Sequence, residues 1–207
     1  MVRRFSKYHK QGIATDLLSF YLYRVKQLLI LCLVFSSFRT TAQQAATYSE
    51  LLRIASEINL NDSLLLTSLD KSMSPVDTIT VKKWFSQVLS GSQNSKLKNR
   101  DFFLAGKITS NENFDLYILV EDKKKADTSV MQVVHLVTTK KDGHYIASFK
   151  AAITGSKKKS SYNTYSWLYK GFNIVQDSKI TTSTASLADV TQYKINNTGR
   201  FIMSSNY

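Results

Sequence analysis

From Phe102 to its C-terminal end the chain repeats one pattern, in which apolar residues occupy every second position of short segments. Alternation of this kind places apolar side chains on one face of a β-strand and polar side chains on the other. Residues that favour turns, chiefly Asn, Asp, Gly and Lys, separate the segments. The predicted strands cover about 102–108, 114–121, 130–138, 144–153, 162–170, 173–182, 187–195 and 200–203.

The connections between these segments indicate antiparallel pairing, because parallel neighbours need a crossover of about a dozen residues or more. Asp142-Gly143 and the Asn196 to Gly199 stretch have hairpin chemistry, since Asn and Gly tolerate the positive φ that tight turns demand. The sequence therefore predicts an antiparallel β-meander of seven or eight strands, closed either as a curled sheet or as a sandwich.

Two short helices are predicted before the strands. Thr47 and Glu50 have the spacing of a capping box, and apolar residues follow at helical spacing, so a helix is expected over about 48–58. Residues 59–74 are expected to form a loop or an irregular turn.

The second predicted helix begins near Ser74-Pro75 and Asp77, which have helix-start chemistry. Its apolar face contains Val81, Trp84, Phe85, Val88 and Leu89, and Gly91 is expected to end it. Since short helices cannot bury their apolar faces alone, this face is expected to pack on the sheet, which makes the fold class α+β.

The first 42 residues have the features of an export leader. Arg24 and Lys26 precede the apolar run Leu28–Phe35, and Thr40 and Ala42 have the small side chains that a signal-peptidase site requires. The apolar run is too short to span a bilayer as a helix. We therefore predict a signal peptide within residues 1–42, with 25–42 as its core and an extension upstream, and a mature chain that starts near Gln43 with no stable membrane anchor. The alternative is a transmembrane anchor.

The rest of the chain divides into a helical part with a polar linker, residues 43–99, and a β domain, residues 100–207. The two are expected to pack as one unit. The whole chain carries a net charge of +13, but the leader accounts for about half of it. The remaining positive charge is too small to indicate nucleic-acid binding.

The leader resembles those of Gram-negative bacterial exported proteins that mature at a junction of a small residue, Ala and Gln. The strand series, for example Phe103–Ile108 and Lys141–Ile146, is similar to that of a broad group of exported β-rich bacterial proteins. This resemblance implies an exported β-rich fold, and it implies no activity.

No motif in the chain indicates catalysis, a metal or a cofactor. His135 is expected to be a hydrogen-bonded residue of the sheet and His144 a solvated residue beside a turn, so no metal site is predicted. The two Ser-x-x-Lys matches lack the accompanying elements of a nucleophilic site. Asp115 and Asp189 are the strand carboxylates that a hydrolase would use.

Two lysine triplets are candidates for contact with an anionic polymer: Lys123, Lys124 and Lys125, and Lys157, Lys158 and Lys159. They fall between consecutive predicted strands, and alternate loops of a meander emerge at the same end of the sheet. Both triplets are therefore expected at one basic rim. Lysines that protect strand edges give the same pattern.

Tyr165, Trp167 and Tyr169 alternate along one predicted strand and so project from a single face of the sheet. This ladder is suited either to stacking on sugar rings or to packing in the core. The core is favoured, because most large aromatic residues of a single domain are buried.

These features together predict an exported, non-catalytic binding or structural module of the cell envelope, found in the periplasm or outside the cell. Its expected partner is an envelope polysaccharide or a protein. The lysines are favoured over the ladder as the contact surface, because loop lysines are accessible. The alternative is a small secreted hydrolase that uses acids such as Asp115.

Overall fold

A computed structural model describes residues 47–67, 73–88, 97, 99–108, 112–124, 130–157 and 159–204. It contains two short helices, α1 (Tyr48–Ile54) and α2 (Thr78–Trp84), within a β-rich architecture. The strands are β1 (Glu57–Ile58), β2 (Ser63–Leu66), β3 (Ser74–Val76), β4 (Arg100–Ile108), β5 (Asp115–Lys124), β6 (Val130–Thr139), β7 (Tyr145–Lys157), β8 (Ser160–Tyr169), β9 (Asn173–Thr181), β10 (Ser186–Ile195) and β11 (Phe201–Met203). The predicted leader and the stop at Gly91 lie outside the described residues.

Both helices begin with the caps that their sequences predict. The Thr47 side chain accepts a hydrogen bond from the Glu50 backbone, and the Glu50 side chain accepts one from the Thr47 backbone. Asp77 caps α2 by accepting from the Thr80 backbone nitrogen. The helices are shorter than predicted, and Ser74-Pro75 belongs to β3 and not to the helix start.

The prediction of an antiparallel meander of seven or eight strands is wrong in number and in direction. The described residues contain an eleven-stranded sheet, in which β1 pairs parallel to β4 and every other pairing is antiparallel. The additional strands are β1, β2 and β3, and β2 lies in the segment that was predicted as a loop. Strands of two to four residues are too short to reveal a period.

The order from β4 to β11 follows the chain, so each strand forms a hairpin with the next. This part confirms the strand series predicted from the alternation. Gly143 and Gly199 have φ angles of 91° and 79°, as the two predicted turns require. A Cβ at Gly143 would also come within 3.0 Å of the Tyr48 and Trp84 rings.

The two faces of β4–β6 are buried in different ways. One face packs against the helices in a cluster that joins Leu51, Val81 and Phe85 to Leu104 and Leu119. The opposite face packs against later strands, since Ile118 and Leu136 share a cluster with Leu168, Ile174 and Ile195. The sheet therefore bends so that β8–β11 lie over the face that the helices leave uncovered.

The bend is located where β7 and β8 separate. They pair only from Ile153 and Thr164 to their hairpin, and the second half of β8 pairs with β2 instead. Where β7 no longer pairs with β8, backbone carbonyls of β7 accept hydrogen bonds from side chains. Ser166 Oγ donates to Ala151 O at 2.6 Å, and Gln176 Nε2 donates to Lys150 O at 2.7 Å.

No helix among the described residues is long and apolar enough to cross a membrane.

Candidate functional site

The aromatic ladder of β8 lies on the outer surface, so the prediction that it belongs to the core is wrong. Trp167 and Tyr169 are 37% and 40% exposed, whereas the alternating residues Thr164, Ser166 and Leu168 are buried. Ser166 faces inward at the bend, where β7 and β8 no longer pair and its Oγ donates to the Ala151 carbonyl of β7. The large rings consequently face solvent.

Neighbouring strands extend this surface on both sides. Leu65 of β2 is the cross-strand partner of Trp167 on one side, and Val175 of β9 is its partner on the other. Leu65 is itself 37% exposed. We call the surface formed by Leu65, Tyr165, Trp167, Tyr169 and Val175 the aromatic face.

Polar groups border the aromatic face. The Tyr165 hydroxyl donates to Asp177 Oδ2 at 2.7 Å, which fixes the ring and raises the pKa of Tyr165. Asn163 and Lys179 are exposed cross-strand partners in the next outward-facing row. A surface with exposed rings and adjacent donors and acceptors can stack on an apolar ring face and bond to its hydroxyl groups.

The lysine triplets occupy strand ends as well as loops. Lys123 and Lys124 belong to β5 and Lys157 belongs to β7, so these three do not lie between strands as predicted. Lys159 is exposed in the β7–β8 turn, while Lys125 and Lys158 lie outside the described residues. Because β5 and β7 run in the same direction, Lys124 and Lys157 lie at the same end of the sheet.

Lys123 takes part in an ion cluster on the helix-facing side of the sheet. Glu121, whose side chain is 3% exposed, pairs with Arg100 and lies 3.7 Å from Lys123 Nζ. His135 Nε2 lies 3.2 Å from Glu121 Oε2. Sequence reasoning missed this cluster, since its members come from three different strands, β4, β5 and β6.

The surroundings of His135 and Glu121 in this cluster shift the pKa of each. Burial lowers the pKa of His135 against the opposing effect of Glu121, so the imidazole is neutral near pH 7 and donates Nε2–H to the carboxylate. Burial alone would raise the pKa of Glu121, but the His135 hydrogen bond and the charges of Lys123 and Arg100 hold it below its ordinary value.

The two strand carboxylates proposed for hydrolysis differ in burial. Asp115 is 3% exposed and accepts from Tyr48 Oη at 2.5 Å and from Lys141 Nζ at 2.8 Å. Burial of Tyr48 and its hydrogen bond to Asp115 raise the pKa of Tyr48 to about 12. Asp189 is exposed and accepts from Thr191. Through its bonds to Tyr48 and Lys141, Asp115 links α1 and the β6–β7 turn to the sheet.

The two histidines among the described residues, His135 and His144, have the surroundings that the sequence predicts. His135 is a buried, hydrogen-bonded residue of β6, and the His144 side chain is 77% exposed beside its turn. His144 Nδ1 contacts Asp142 Oδ1 at 2.8 Å. The described residues contain no group of three His, Cys, Asp or Glu that is arranged to hold a metal ion.

A cleft of about 390 Å³ lies between α2 and the β6–β7 turn. Its lining includes Trp84, Gln87, His144 and Tyr145. The Trp84 ring is already engaged, by Tyr48 with centroids 5.6 Å apart and by Lys83 Nζ 5.2 Å from its centroid. The sequence did not predict this cleft, because its two walls are distant along the chain.

Comparisons with protein families, curated proteins and solved structures return no match to this chain.

Proposed function

We propose that the protein is an exported, non-catalytic binding module of the cell envelope and that its aromatic face holds a neutral polysaccharide. The observation that carries this proposal is the exposure of Trp167 and Tyr169 side by side on the outer face of β8. Exposed aromatic residues on a rigid strand present a flat apolar surface with little conformational entropy to lose.

The polar border supports a sugar over a purely apolar ligand. Asn163, Asp177 and Lys179 place an amide, a carboxylate and an ammonium beside the rings, and these groups match the hydroxyl groups of a sugar. Asp177 also lowers the positive charge at this surface, which makes a neutral chain a better ligand than a polyanion. The hydrolase alternative has no comparable support, because Asp115 is engaged by Tyr48 and Lys141.

We expect Trp167→Ala to weaken binding of a neutral polysaccharide by about tenfold or more, which corresponds to at least about 1.4 kcal/mol. A glycan array identifies the polysaccharide, and isothermal titration at low and high salt measures its affinity. Salt should have little effect, because no counterions are released. Unchanged affinity in Trp167→Ala, or an affinity that falls steeply with salt, would contradict the proposal.

The second tryptophan provides a matched control. The chain has two tryptophans, and Trp84 lies in α2, away from the aromatic face. In a Trp84→Phe variant Trp167 is the remaining tryptophan, so a change in its emission on adding the polysaccharide reports contact directly. This variant should bind as tightly as the wild type.

Export is the second part of the proposal, and the sequence of the leader supports it. We expect the protein recovered from outside the cytoplasm to begin near Gln43, since Thr40 and Ala42 fit the cleavage site. The intact mass of the mature protein measures this start. A product that retains Leu28–Phe35 would refute the predicted cleavage.

A further inference from the structure

Three cations gather on the helix-facing side of the sheet, away from the aromatic face. Arg100 of β4 is the cross-strand partner of Lys123 in β5. Lys150 of β7 is the cross-strand partner of His135, which contacts Glu121. Four neighbouring strands therefore contribute to one small region.

The charges that the described residues bring to this region do not balance. Glu121 is the carboxylate that pairs with Arg100 and Lys123, and the neutral His135 adds no charge. Among the described residues no carboxylate pairs with Lys150, whose side chain is exposed. In the described part of the chain three cations thus share one anion, and Lys150 lies near enough to Lys123 for its charge to lower the pKa of Lys123.

Crowding of like charges in a partly buried place is unfavourable unless an anion relieves it. Burial lowers the pKa of Lys123, and the nearby charges of Arg100 and Lys150 lower it further. The Arg100 and Lys123 side chains are 19% and 32% exposed, so they remain accessible from solvent. Their partial burial strengthens any charge-assisted hydrogen bond that they make.

We propose that Arg100, Lys123 and Lys150 form a binding site for a sulfate or phosphate group. Glu121 holds Arg100 and Lys123 in place, which orders their donors before the anion arrives. Arg100 supplies a planar guanidinium suited to an oxyanion, and it has five N–H donors. Lys150 supplies the charge that no described carboxylate neutralises. The site is separate from the aromatic face, so an experiment can refute sulfate binding without refuting polysaccharide binding, and the reverse.

Titration with inorganic sulfate tests the site. Sodium sulfate should raise the melting temperature more than sodium chloride at equal ionic strength, and the effect should saturate. Lys150→Gln should weaken sulfate binding by about fivefold or more, because it removes one charge-assisted contact. Lys179→Gln, which removes an exposed lysine from the border of the aromatic face, should leave sulfate binding unchanged.

Equal sulfate affinity in the wild type and in Lys150→Gln would overturn the site, and so would equal responses to sulfate and chloride. Lys150 and Lys179 are exposed and make no side-chain hydrogen bond to the described residues, so both lysine variants should fold. Circular dichroism checks this before titration.

The source of the anion is distinguished with a polymer. Dextran sulfate is compared with inorganic sulfate on the wild type and on Lys150→Gln. If dextran sulfate binds the wild type more tightly than inorganic sulfate does, and binds Lys150→Gln less tightly than it binds the wild type, the ligand is a sulfate ester on a polysaccharide. Binding of inorganic sulfate alone identifies a free ion. Uncharged dextran measures any contribution of the aromatic face, and Trp167→Ala removes that contribution while leaving inorganic sulfate binding intact.

Discussion

Truncation of Phe85 to alanine will lower the free energy of unfolding by about 3–5 kcal/mol. Phe85 is fully buried directly after α2, where it packs edge-on against Tyr117 of β5 with ring centroids 5.9 Å apart. The variant loses the transfer free energy of the ring and leaves a cavity between the helix layer and the sheet. Urea denaturation followed by circular dichroism measures the loss.

Trp84→Ala is the matched comparison for Phe85→Ala. Trp84 is the larger residue, but it is only partly buried against the same cluster. We therefore expect a smaller loss from Trp84→Ala than from Phe85→Ala, although the helical pattern places both residues on the apolar face. The reverse order would mean that α2 packs through Trp84, in conflict with the structure.

Acidification from pH 7 to pH 4 will also destabilise the fold, with a slope of up to about 1.4 kcal/mol per pH unit for each proton taken up on unfolding. His135 has a folded pKa below its ordinary value of 6.5, so the unfolded chain binds its proton first as the pH falls. Glu121 adds a loss of the same sign below its ordinary value of 4.5.

Urea denaturation at pH 7.5 and pH 5.5 measures the contribution of His135. His135→Gln removes the titrating group and keeps a side-chain amide that can donate to Glu121, so its stability should depend less on pH in this range. His144→Gln removes an exposed imidazole and should retain the wild-type dependence. A wild-type slope in His135→Gln would show that other groups cause the acid sensitivity.

Local sequence patterns were sufficient for much of the framework. The alternation from Phe102 onward predicts the hairpins, and Thr47 and Asp77 predict the helix starts, because each signal depends on residues close together in the chain. The pairings of β1 with β4 and of β2 with β8 join distant segments. Nothing in two to four residues specifies such a partner.

The aromatic face shows a second limit of sequence patterns. Alternation predicts correctly that Tyr165, Trp167 and Tyr169 share one face of their strand, but it does not say which face meets solvent. Here burial follows the tertiary contacts, since the small residues Thr164 and Ser166 are needed where β7 and β8 separate. The Glu121 cluster was missed for a similar reason, because charged residues in a strand indicate an exposed face.

The exchange of partners along β8 has a consequence for the order in which the chain folds. Strands β4–β10 pair with sequence neighbours and close short loops, so their hairpins form at low entropic cost. The pairing of β2 with β8 closes a loop of about half the chain. Leu64–Leu66 is synthesised early but obtains its partner only after β8 emerges from the ribosome. Until then this leucine-rich strand lacks the partner that it has in the folded protein.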